Sequence, residues 1–325
     1  MRELIIGKND AGQRLDKFIT KALDLPTSLL YKSIRLKKIK VNRKRAEIST
    51  VLAEGDRIQC FLAEEFFAKL DGESGEAVAT LSRIKPNLDI VYEDENIILL
   101  NKLPGVSVHE DEHESLGTLV VQLQAYLYHK GEYNPDDEMS FAPALANRID
   151  RNTGGIVIAA KNAEALRILN EKIKLRELDK FYLAAVHGIP KKREDTLYGY
   201  LIKDEKQNQV KVFLKNPPRG AKEIITKYKV VATSGENALI EVELLTGRTH
   251  QIRAHMAFIG HPLIGDGKYG QNRDDKKRGY KYQALYSYKL RFSFKTDAGI
   301  LSYLDGREFS IPKDKIYFTN EFFRK

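Results

Sequence analysis

Residues 196–245 contain four apolar, strand-like stretches in succession, and no helical pattern separates them. The stretches are 197–202, 210–214, 224–231 and 238–245. Strands that follow one another without intervening helices pair mainly as antiparallel neighbours, because a parallel pair needs a long crossover. The chain is therefore predicted to be an α+β protein with a mixed, largely antiparallel sheet. The sequence contains no glycine-rich phosphate loop, which also argues against a doubly wound nucleotide-binding fold.

The stretch 146–161 joins a polar, irregular half to an apolar half of strand length. Asp150 stands between Arg148 and Arg151, an Asn-Thr-Gly-Gly turn follows, and the run 156–160 has the composition of a buried strand. Nearby positive charges favour an ionised carboxylate, most strongly in a buried place. Asp150 is thus a candidate nucleophile or base. The alternative from the residues alone is a surface ion pair with a turn cap.

The same stretch resembles the signature of the RluA-type pseudouridine synthases, which is His-Arg-Leu-Asp-x-x-Thr-Ser-Gly. Four positions carry the family's residue, namely Arg148, Asp150, Thr153 and Gly155. Three positions depart from it, with Asn147 in place of His, Ile149 in place of Leu and Gly154 in place of Ser.

A second match with this family lies at 247–255, where every fixed position of Gly-Arg-Thr-His-Gln-Ile-Arg-x-His is present. A helix is expected to begin within this segment. His250 and His255 are five positions apart without a carboxylate partner, whereas metal-binding His residues on one helix face lie about three or four apart. We therefore reject a metal site. The resemblance implies that Arg253 pairs with Asp150, and a helix-borne arginine can hold a buried carboxylate in this way.

Three further segments resemble motifs of the family. The predicted strand 179–188 matches Lys-x-Tyr-x-Ala-x-Val-x-Gly, and the resemblance gives Tyr182 a role in stacking on the target base. A buried strand tyrosine otherwise belongs to a core, with its hydroxyl bonded to a neighbour. The segment 101–109 resembles the first motif, where a lysine and a glycine turn lie near the active cleft. The segment 285–292 resembles the last motif, with Tyr286 in place of His.

The resemblance implies an isomerase that converts uridine in RNA to pseudouridine without a cofactor, metal or energy source. The N1–C1′ bond breaks, the uracil rotates in place and C5 bonds to C1′. Asp150 then acts at the sugar, either by adding to C1′ or by taking the C2′ proton, while Arg253 keeps it ionised. The uracil must leave the RNA stack, which costs a few kcal/mol. By resemblance, Arg148 fills the gap that the flipped base leaves, and Tyr182 stacks on the uracil as it turns.

Positive charge is concentrated at the N-terminus. Residues 1–62 contain 14 Lys and Arg against 7 Asp and Glu, so they carry most of the net charge of +9. Basic residues occupy seven of the eleven positions in 35–45. Charges of one sign this close repel one another unless a polyanion such as nucleic acid shares the site. The region resembles the αL-type RNA-binding domain, and the candidate phosphate contacts are Arg35, Lys37, Lys38, Lys44 and Arg45.

Two rival interpretations follow from the same residues. The first is a non-catalytic RNA-binding or ribosome-assembly protein that keeps the fold as a scaffold, and it is supported by the departures at Asn147, Gly154 and Tyr286. The joint presence of the three candidate catalytic residues argues against it. The second is a nucleoside hydrolase, because a carboxylate acting at C1′ can also release the base. A hydrolase of free nucleosides has no need of a basic RNA-binding domain.

We divide the chain into an RNA-binding domain at 1–62, a polar linker at 63–87 and a catalytic domain at 88–325. Cys60 lies in an apolar run and is expected to be a buried core thiol. No apolar run approaches the roughly 20 residues of a membrane span, and the N-terminus has no signal-peptide pattern. We expect a cytoplasmic monomer whose partner is RNA, ribosomal RNA rather than transfer RNA, with no metal and no membrane.

Overall fold

The computed structural model describes residues 1–23, 25–68, 70, 74–109, 116–204 and 209–323. The chain forms two compact units. The first unit comprises residues 1–87, 120–144 and 160–167, and the second comprises 88–119, 145–159 and 168–325. Within the described ranges, no helix combines the length and apolarity that crossing a bilayer requires.

The first unit contains a small antiparallel sheet with two helices packed on it. Its strands are β1 (Arg2–Ile5), β2 (Ile39–Val41), β3 (Lys44–Arg45) and β4 (Arg57–Cys60), in the order β1-β4-β2-β3. The helices are α1 (Leu15–Ala22) and α2 (Thr27–Arg35). In α1 the buried positions Leu15, Phe18, Ile19 and Ala22 follow helical spacing, so this face of the helix packs into the core of the unit.

Two local expectations in this unit have different outcomes. Cys60 is fully buried in the core, as expected, and burial raises the pKa of its thiol to about 12. Thr27 and Ser28 follow Pro26 at the start of α2, and from sequence one of them is the predicted side-chain cap. Instead, Pro26 precedes the helix, Thr27 is its first residue, and no side chain caps the helix. The fixed φ of proline favours this position just before the first turn, so the serine and threonine are not needed as caps.

The segment predicted as a linker contains regular structure. A 3-10 helix spans Glu64–Phe67, and α3 spans Ser74–Arg83. Phe67 is fully buried in the core of the first unit, and Leu81 is buried as well. The sequence did not indicate α3, because its apolar positions are few and lie among turn-forming residues. The predicted domain boundaries remain a prediction.

The second unit is built on a large sheet. Its strands are β5 (Ile90–Glu93), β6 (Ile97–Lys102), β7 (Ala144–Leu145), β8 (Gly154–Ala160), β9 (Leu178–His187), β10 (Glu194–Asp204), β11 (Gln209–Phe213), β12 (Lys222–Ser234), β13 (Asn237–Leu244), β14 (Leu285–Phe292) and β15 (Glu308–Ser310). The order is β11-β10-β12-β13-β9-β14-β8-β6-β5, with β15 on β14 and β7 on β8. Strands β14 and β8 run parallel, whereas β9 to β13 form antiparallel pairs. The predicted α+β class with a mixed, largely antiparallel sheet is confirmed.

One helix of the second unit positions a site residue. The helices of the second unit are α6 (Gln251–Phe258), α7 (Arg273–Lys277) and α8 (Asn320–Phe323), whereas α4 (Leu119–His129) lies almost wholly in the first unit and α5 (Ala163–Leu175) is divided between the units. Ile252 and Met256 of α6 pack into one apolar cluster with Tyr182 and Val242 of the sheet. Burying such side chains contributes about 1.5–3 kcal/mol each. This packing anchors α6 on the sheet and thereby fixes the direction of Arg253.

Two departures from the family's signature are in contact with each other. Gly154 in β8 lies opposite Tyr286 in the parallel strand β14. A Cβ atom on Gly154 would lie 2.3 Å from Cε2 of Tyr286, which is far inside van der Waals contact. The Tyr286 hydroxyl donates to Oδ1 of Asn101, so the ring is held in place. Glycine at 154 therefore makes room for tyrosine at 286.

The steric match predicts a coupled effect on stability. Gly154→Ser should lower the free energy of unfolding by about 1–3 kcal/mol, the usual cost of overpacking. Adding Tyr286→His should restore part of this loss, because the smaller ring leaves room for the Ser side chain. Urea denaturation of both single variants and the double variant measures the coupling. Gly247→Ser is the control, since a Cβ there meets no atom within 4 Å. Purely additive losses would contradict the match.

Candidate active site

Asp150 lies in the turn that leads into β8. The Thr153 amide donates to the Asp150 carbonyl at 3.0 Å, and β8 begins one residue later. Ile149 packs against the apolar cluster of the sheet, which pins the turn. The Asp150 side chain is 25% exposed. Among the described residues, no donor is hydrogen-bonded to its Oδ1 atom, so this oxygen is available to a substrate.

Arg253 connects Asp150 to a second, buried carboxylate. Its NH1 donates to Oδ2 of Asp150 at 2.9 Å. Its Nε and NH2 donate to the two oxygens of Asp266 at 2.7 and 2.8 Å. The bidentate partner of the guanidinium is therefore Asp266, and Asp150 takes the remaining edge. A planar guanidinium with five N–H donors can serve both carboxylates at once.

The charges of this cluster stabilise each other against burial. Burial alone would raise the pKa of Asp266, but the hydrogen bonds and charge of Arg253 outweigh it and lower that pKa below its usual range. Burial disfavours the charged guanidinium, yet the hydrogen bonds and charges of Asp266 and Asp150 raise the pKa of Arg253 above its ordinary value. Arg253 consequently stays a cation. It supplies a fixed positive charge beside Asp150.

His250 and Tyr269 complete the surroundings of Asp150. The Nε2 atom of His250 lies 3.8 Å from Oδ2 of Asp150, and its Nδ1 lies 2.9 Å from the Tyr269 hydroxyl. The Arg253 guanidinium stands 5.3 Å from the centre of the Tyr269 ring, within cation–π range. The backbone amides of Lys268 and Tyr269 donate to Asp266. The segment 266–269 thus holds Arg253 in two ways, through the carboxylate of Asp266 and through the ring of Tyr269.

Tyr182 lies in β9, opposite Ser287 of β14. The side chain is buried, and its cluster on the sheet also contains Ile252 of α6. Burial raises the pKa of the Tyr182 hydroxyl to about 12, a hydrogen bond with Ser287 opposes this, and the charge of Asp150 adds to it. The hydroxyl is therefore protonated at neutral pH and lies within electrostatic reach of Asp150.

A buried lysine braces the residue that follows Asp150. Lys102 is 1% exposed, and its Nζ donates to the carbonyls of Arg151, Val106 and Leu103 at 2.8, 2.9 and 3.1 Å. The Gly105 amide also donates to the Arg151 carbonyl. Burial lowers the pKa of Lys102 to about 7, whereas the charge of Asp150 and the three carbonyl acceptors favour its ammonium form. The segment 102–106 thus fixes the backbone of the turn.

The remaining predicted residues lie at the surface. Arg148 is exposed on the turn before Asp150, and its charge contributes to a lowered pKa of His109, in which burial is the larger cause. Five basic residues are exposed on the first unit, namely Arg35, Lys37, Lys38, Lys44 and Arg45.

His255, the second histidine of the rejected metal pair, is buried against Thr226, and burial lowers the pKa of its imidazole to about 4.

The structure brings together Asp150, Arg253 and Tyr182, which the sequence singled out, and adds three groups that it did not. From sequence, His250 stands only in the rejected metal pair, and Asp266 and Tyr269 are assigned no role. The available signal for Asp266 was a single acidic residue in a Gly-rich turn after a buried apolar pair. Such a residue is normally a turn former, and only the fold reveals that Arg253 lies beside it.

Comparison with known proteins shows the family of the chain. The family model described as RNA pseudouridylate synthase matches residues 96–258. Ribosomal large subunit pseudouridine synthase C of Vibrio vulnificus is 32% identical over 293 residues, which cover 89% of this chain and 87% of that protein. An uncharacterized RNA pseudouridine synthase of Mycoplasma genitalium is 34% identical over 298 residues, which cover 89% and 88%.

Solved structures show the same fold. Human RNA Pseudouridylate Synthase Domain Containing 1 superposes with a TM-score of 0.55 at 22% identity, covering 70% of this chain and 86% of that one. The fold and the relatives together define an enzyme class, the synthases that isomerise uridine to pseudouridine within RNA. The chain belongs to the RNA pseudouridylate synthase family.

The Arg253 pair predicts a large structural effect at Asp266. Asp266→Ala should lower the free energy of unfolding by about 3–5 kcal/mol, because it leaves a buried guanidinium without its bidentate partner. Chemical denaturation measures this loss. The control is Asp274→Ala, whose carboxylate is 85% exposed and forms an ion pair with Lys277. Equal stability of the two variants would show that the carboxylate of Asp266 is not needed to compensate the buried charge of Arg253.

Proposed function

We propose that this synthase modifies uridines of ribosomal RNA, with Asp150 as the group that acts at the ribose. The observation that carries the role of Asp150 is the asymmetry of its carboxylate. Oδ2 is held by Arg253 at 2.9 Å, whereas Oδ1 accepts no hydrogen bond from the described residues. Relatives named ribosomal large subunit pseudouridine synthase C support the substrate class, and large-subunit RNA is the first to test.

The reaction needs a carboxylate that is charged and free on one side. Asp150 either adds to C1′ as the N1–C1′ bond breaks and is displaced when C5 bonds there, or it takes the C2′ proton as the N1–C1′ bond breaks and returns it to C2′ when C5 bonds to C1′. The uracil then turns so that C5 bonds to C1′, N1 gains a proton and the C5 proton is released. The positive charge of Arg253 stays beside the carboxylate throughout and does not need to reorganise, which is the most effective kind of electrostatic support.

The target base has to be held after it leaves the stack. We propose that Tyr182 stacks on the uracil, since it is an aromatic residue of the sheet whose hydroxyl lies within electrostatic reach of Asp150. We propose that the exposed Arg148 occupies the gap in the RNA. Its position two residues before Asp150 supports this role, because the same turn then carries both groups. Extrusion of a base costs a few kcal/mol, which such contacts offset.

The exposed basic residues of the first unit are the proposed phosphate contacts. Arg35 ends α2, Lys37 and Lys38 follow it, and Lys44 and Arg45 form β3. All five side chains are exposed. Lysine and arginine side chains on a surface gain binding energy from phosphates chiefly by releasing counter-ions. This surface is therefore expected to provide affinity for RNA without selecting a sequence.

We further propose that the enzyme acts as a monomer in the cytoplasm. One copy of the chain contains every group assigned to the reaction here, namely Asp150, Arg253, Tyr182 and Arg148. Its ribosomal RNA substrate is made and folded in the bacterial cytoplasm of the relatives. Sedimentation of the purified protein tests this proposal. We expect a single species at the mass of one chain without RNA, and a complex that contains one chain when RNA is added.

Asp150→Asn should abolish turnover and leave RNA binding largely intact. Isomerisation replaces the C5–H bond by C5–C1′, so tritium release from C5-labelled uridine in unmodified large- and small-subunit RNA measures turnover directly. We expect release by the wild type and none by the variant, because an amide cannot act at the ribose in place of a carboxylate. Asp314→Asn, at an exposed position, is the control. Turnover by Asp150→Asn, or its loss of RNA affinity, would contradict the proposed role.

Replacing Lys37, Lys38, Lys44 and Arg45 by Gln should weaken RNA binding and flatten its dependence on salt. The slope of log K against log salt falls by about 0.7–0.9 for each phosphate contact, so four contacts predict a change of about 3. Binding measured across a salt series tests this. A matched variant removes four exposed lysines of the second unit, namely Lys276, Lys277, Lys313 and Lys315. Equal slopes in the two variants would show that these residues of the first unit are not the phosphate-binding surface.

A further inference from the structure

His250 is held in an unusual backbone conformation beside Asp150. It immediately precedes α6 with φ 54° and ψ 17°, in the left-handed region that residues other than glycine rarely adopt. Its side chain is 11% exposed, and its Nε2 lies 3.8 Å from Oδ2 of Asp150. A residue in such a conformation costs about 1–3 kcal/mol and persists where the surrounding structure over-determines it. The left-handed backbone therefore indicates that the His250 side chain is required in its position beside Asp150.

The contacts of Tyr269 favour one tautomer of the His250 ring. The Tyr269 hydroxyl oxygen accepts the backbone N–H of Val210 at 2.9 Å and lies 2.9 Å from Nδ1 of His250. An amide N–H can only donate, so the single hydroxyl hydrogen is free to donate to Nδ1. Nδ1 is then the acceptor, and in a neutral imidazole the ring proton lies on Nε2. The opposite tautomer would turn the lone pair of Nε2 toward a carboxylate.

The neutral state of His250 is favoured by its surroundings. Burial lowers the pKa of the imidazole, the charge of Asp150 opposes this, and the charges of Arg253 and Lys268 lower it further. Because the ordinary value is about 6.5, a lowered pKa leaves the ring neutral at pH 7 and above. Its Nε2–H group therefore faces Asp150 as a donor without adding a second full positive charge.

We propose that His250 is a positioning residue for the isomerisation, whose Nε2–H acts with Arg253 on Oδ2 of Asp150 and leaves Oδ1 facing the ribose. The terminal torsion of an aspartate is soft, so one donor alone leaves the direction of the free oxygen variable. Two donors on the bound oxygen restrict this rotation and keep the free oxygen in one direction. The separation of 3.8 Å exceeds a hydrogen bond, and such contacts in substrate-free sites commonly shorten when substrate binds. The inference rests on the proposed role of Asp150.

Tyr269 acts through both donors. Its hydroxyl orients His250, its ring lies 5.3 Å from the Arg253 guanidinium, and its amide donates to Asp266. Removing only the hydroxyl leaves the contacts with Arg253 and Asp266 in place. The variant Tyr269→Phe removes the hydroxyl that orients His250 and also the acceptor of the Val210 amide, so its effect through His250 is read from a comparison of two backgrounds.

Two amide substitutions separate the two nitrogens of His250. The amide nitrogen of glutamine occupies the place of Nε2, whereas the amide of asparagine reaches only the place of Nδ1. His250→Gln should keep kcat within about threefold of the wild type, because a donor still faces Asp150. His250→Asn should lower kcat by about 10- to 100-fold with KM unchanged, since a displacement of about 1 Å of a reacting group has an effect of this size.

Tritium release under saturating RNA gives kcat, and thermal melting reports whether each variant is folded. His261→Asn is the matched control, because the asparagine amide still reaches the His187 carbonyl that Nδ1 of His261 contacts. Equal kcat of the Gln and Asn variants, or an effect of His250→Asn confined to KM, would overturn the proposal. Loss of activity in Asp150→Asn is measured separately, so a failure of this proposal leaves the role of Asp150 intact.

A second measurement applies even if His250→Asn does not fold. Tyr269→Phe should lower kcat about threefold or more in the wild-type background and have no further effect in the His250→Gln background, since Gln offers no ring tautomer to fix. Residues that act through one another give such non-additive effects. Equal losses in the two backgrounds would mean that Tyr269 acts independently of His250, and the proposal would be wrong.

Discussion

The sharing of one guanidinium between two carboxylates is the interaction on which the site depends. Arg253 binds Asp266 through two parallel hydrogen bonds and Asp150 through a third. Asp266 is buried and receives two backbone amides, so it is the fixed end of the arrangement. Asp150 is the exposed end. A buried cation without Asp266 would have to be satisfied by Asp150 alone, and this would draw the carboxylate inward and away from a substrate.

The sheet determines where this guanidinium points. Helix α6 packs on β9 and β13 through Ile252 and Met256, and Arg253 follows Ile252 in the same turn. Asp150 reaches it from β8, which pairs with β14 at Gly154 and Gly155. A Cβ atom at Gly155 would lie 2.2 Å from the Ser287 carbonyl oxygen, and φ is +115° there. Only glycine allows the close approach that brings the turn of Asp150 toward α6.

Much of this arrangement was predictable from local sequence, and the remainder was not, for physical reasons. The strands of 196–245 follow from their composition, and β8 follows from an apolar run after a turn. Asp150, Arg253 and Tyr182 were identified because they stand in motifs. Asp266 and Tyr269 were assigned no role, because an acidic turn residue and a half-buried tyrosine have ordinary structural explanations. His250 was considered only as a metal ligand, since its left-handed backbone cannot be read from the sequence.

The departures from the family's signature at Asn147, Gly154 and Tyr286 affect local packing and backbone hydrogen bonds, and they do not alter the contacts of the Asp150 carboxylate. Asn147 accepts the Ile158 amide through Oδ1 at 2.7 Å, which is a structural task that an imidazole nitrogen can also perform. Gly154 and Tyr286 fit each other sterically. Each departure is thus satisfied within the strands β8 and β14 or the turn before them. The groups that contact Asp150 are unaffected, so the departures give no support to a scaffold that has lost its chemistry. A chain that had lost it would have no reason to keep a buried arginine, at a considerable desolvation cost, beside an aspartate with one oxygen left open.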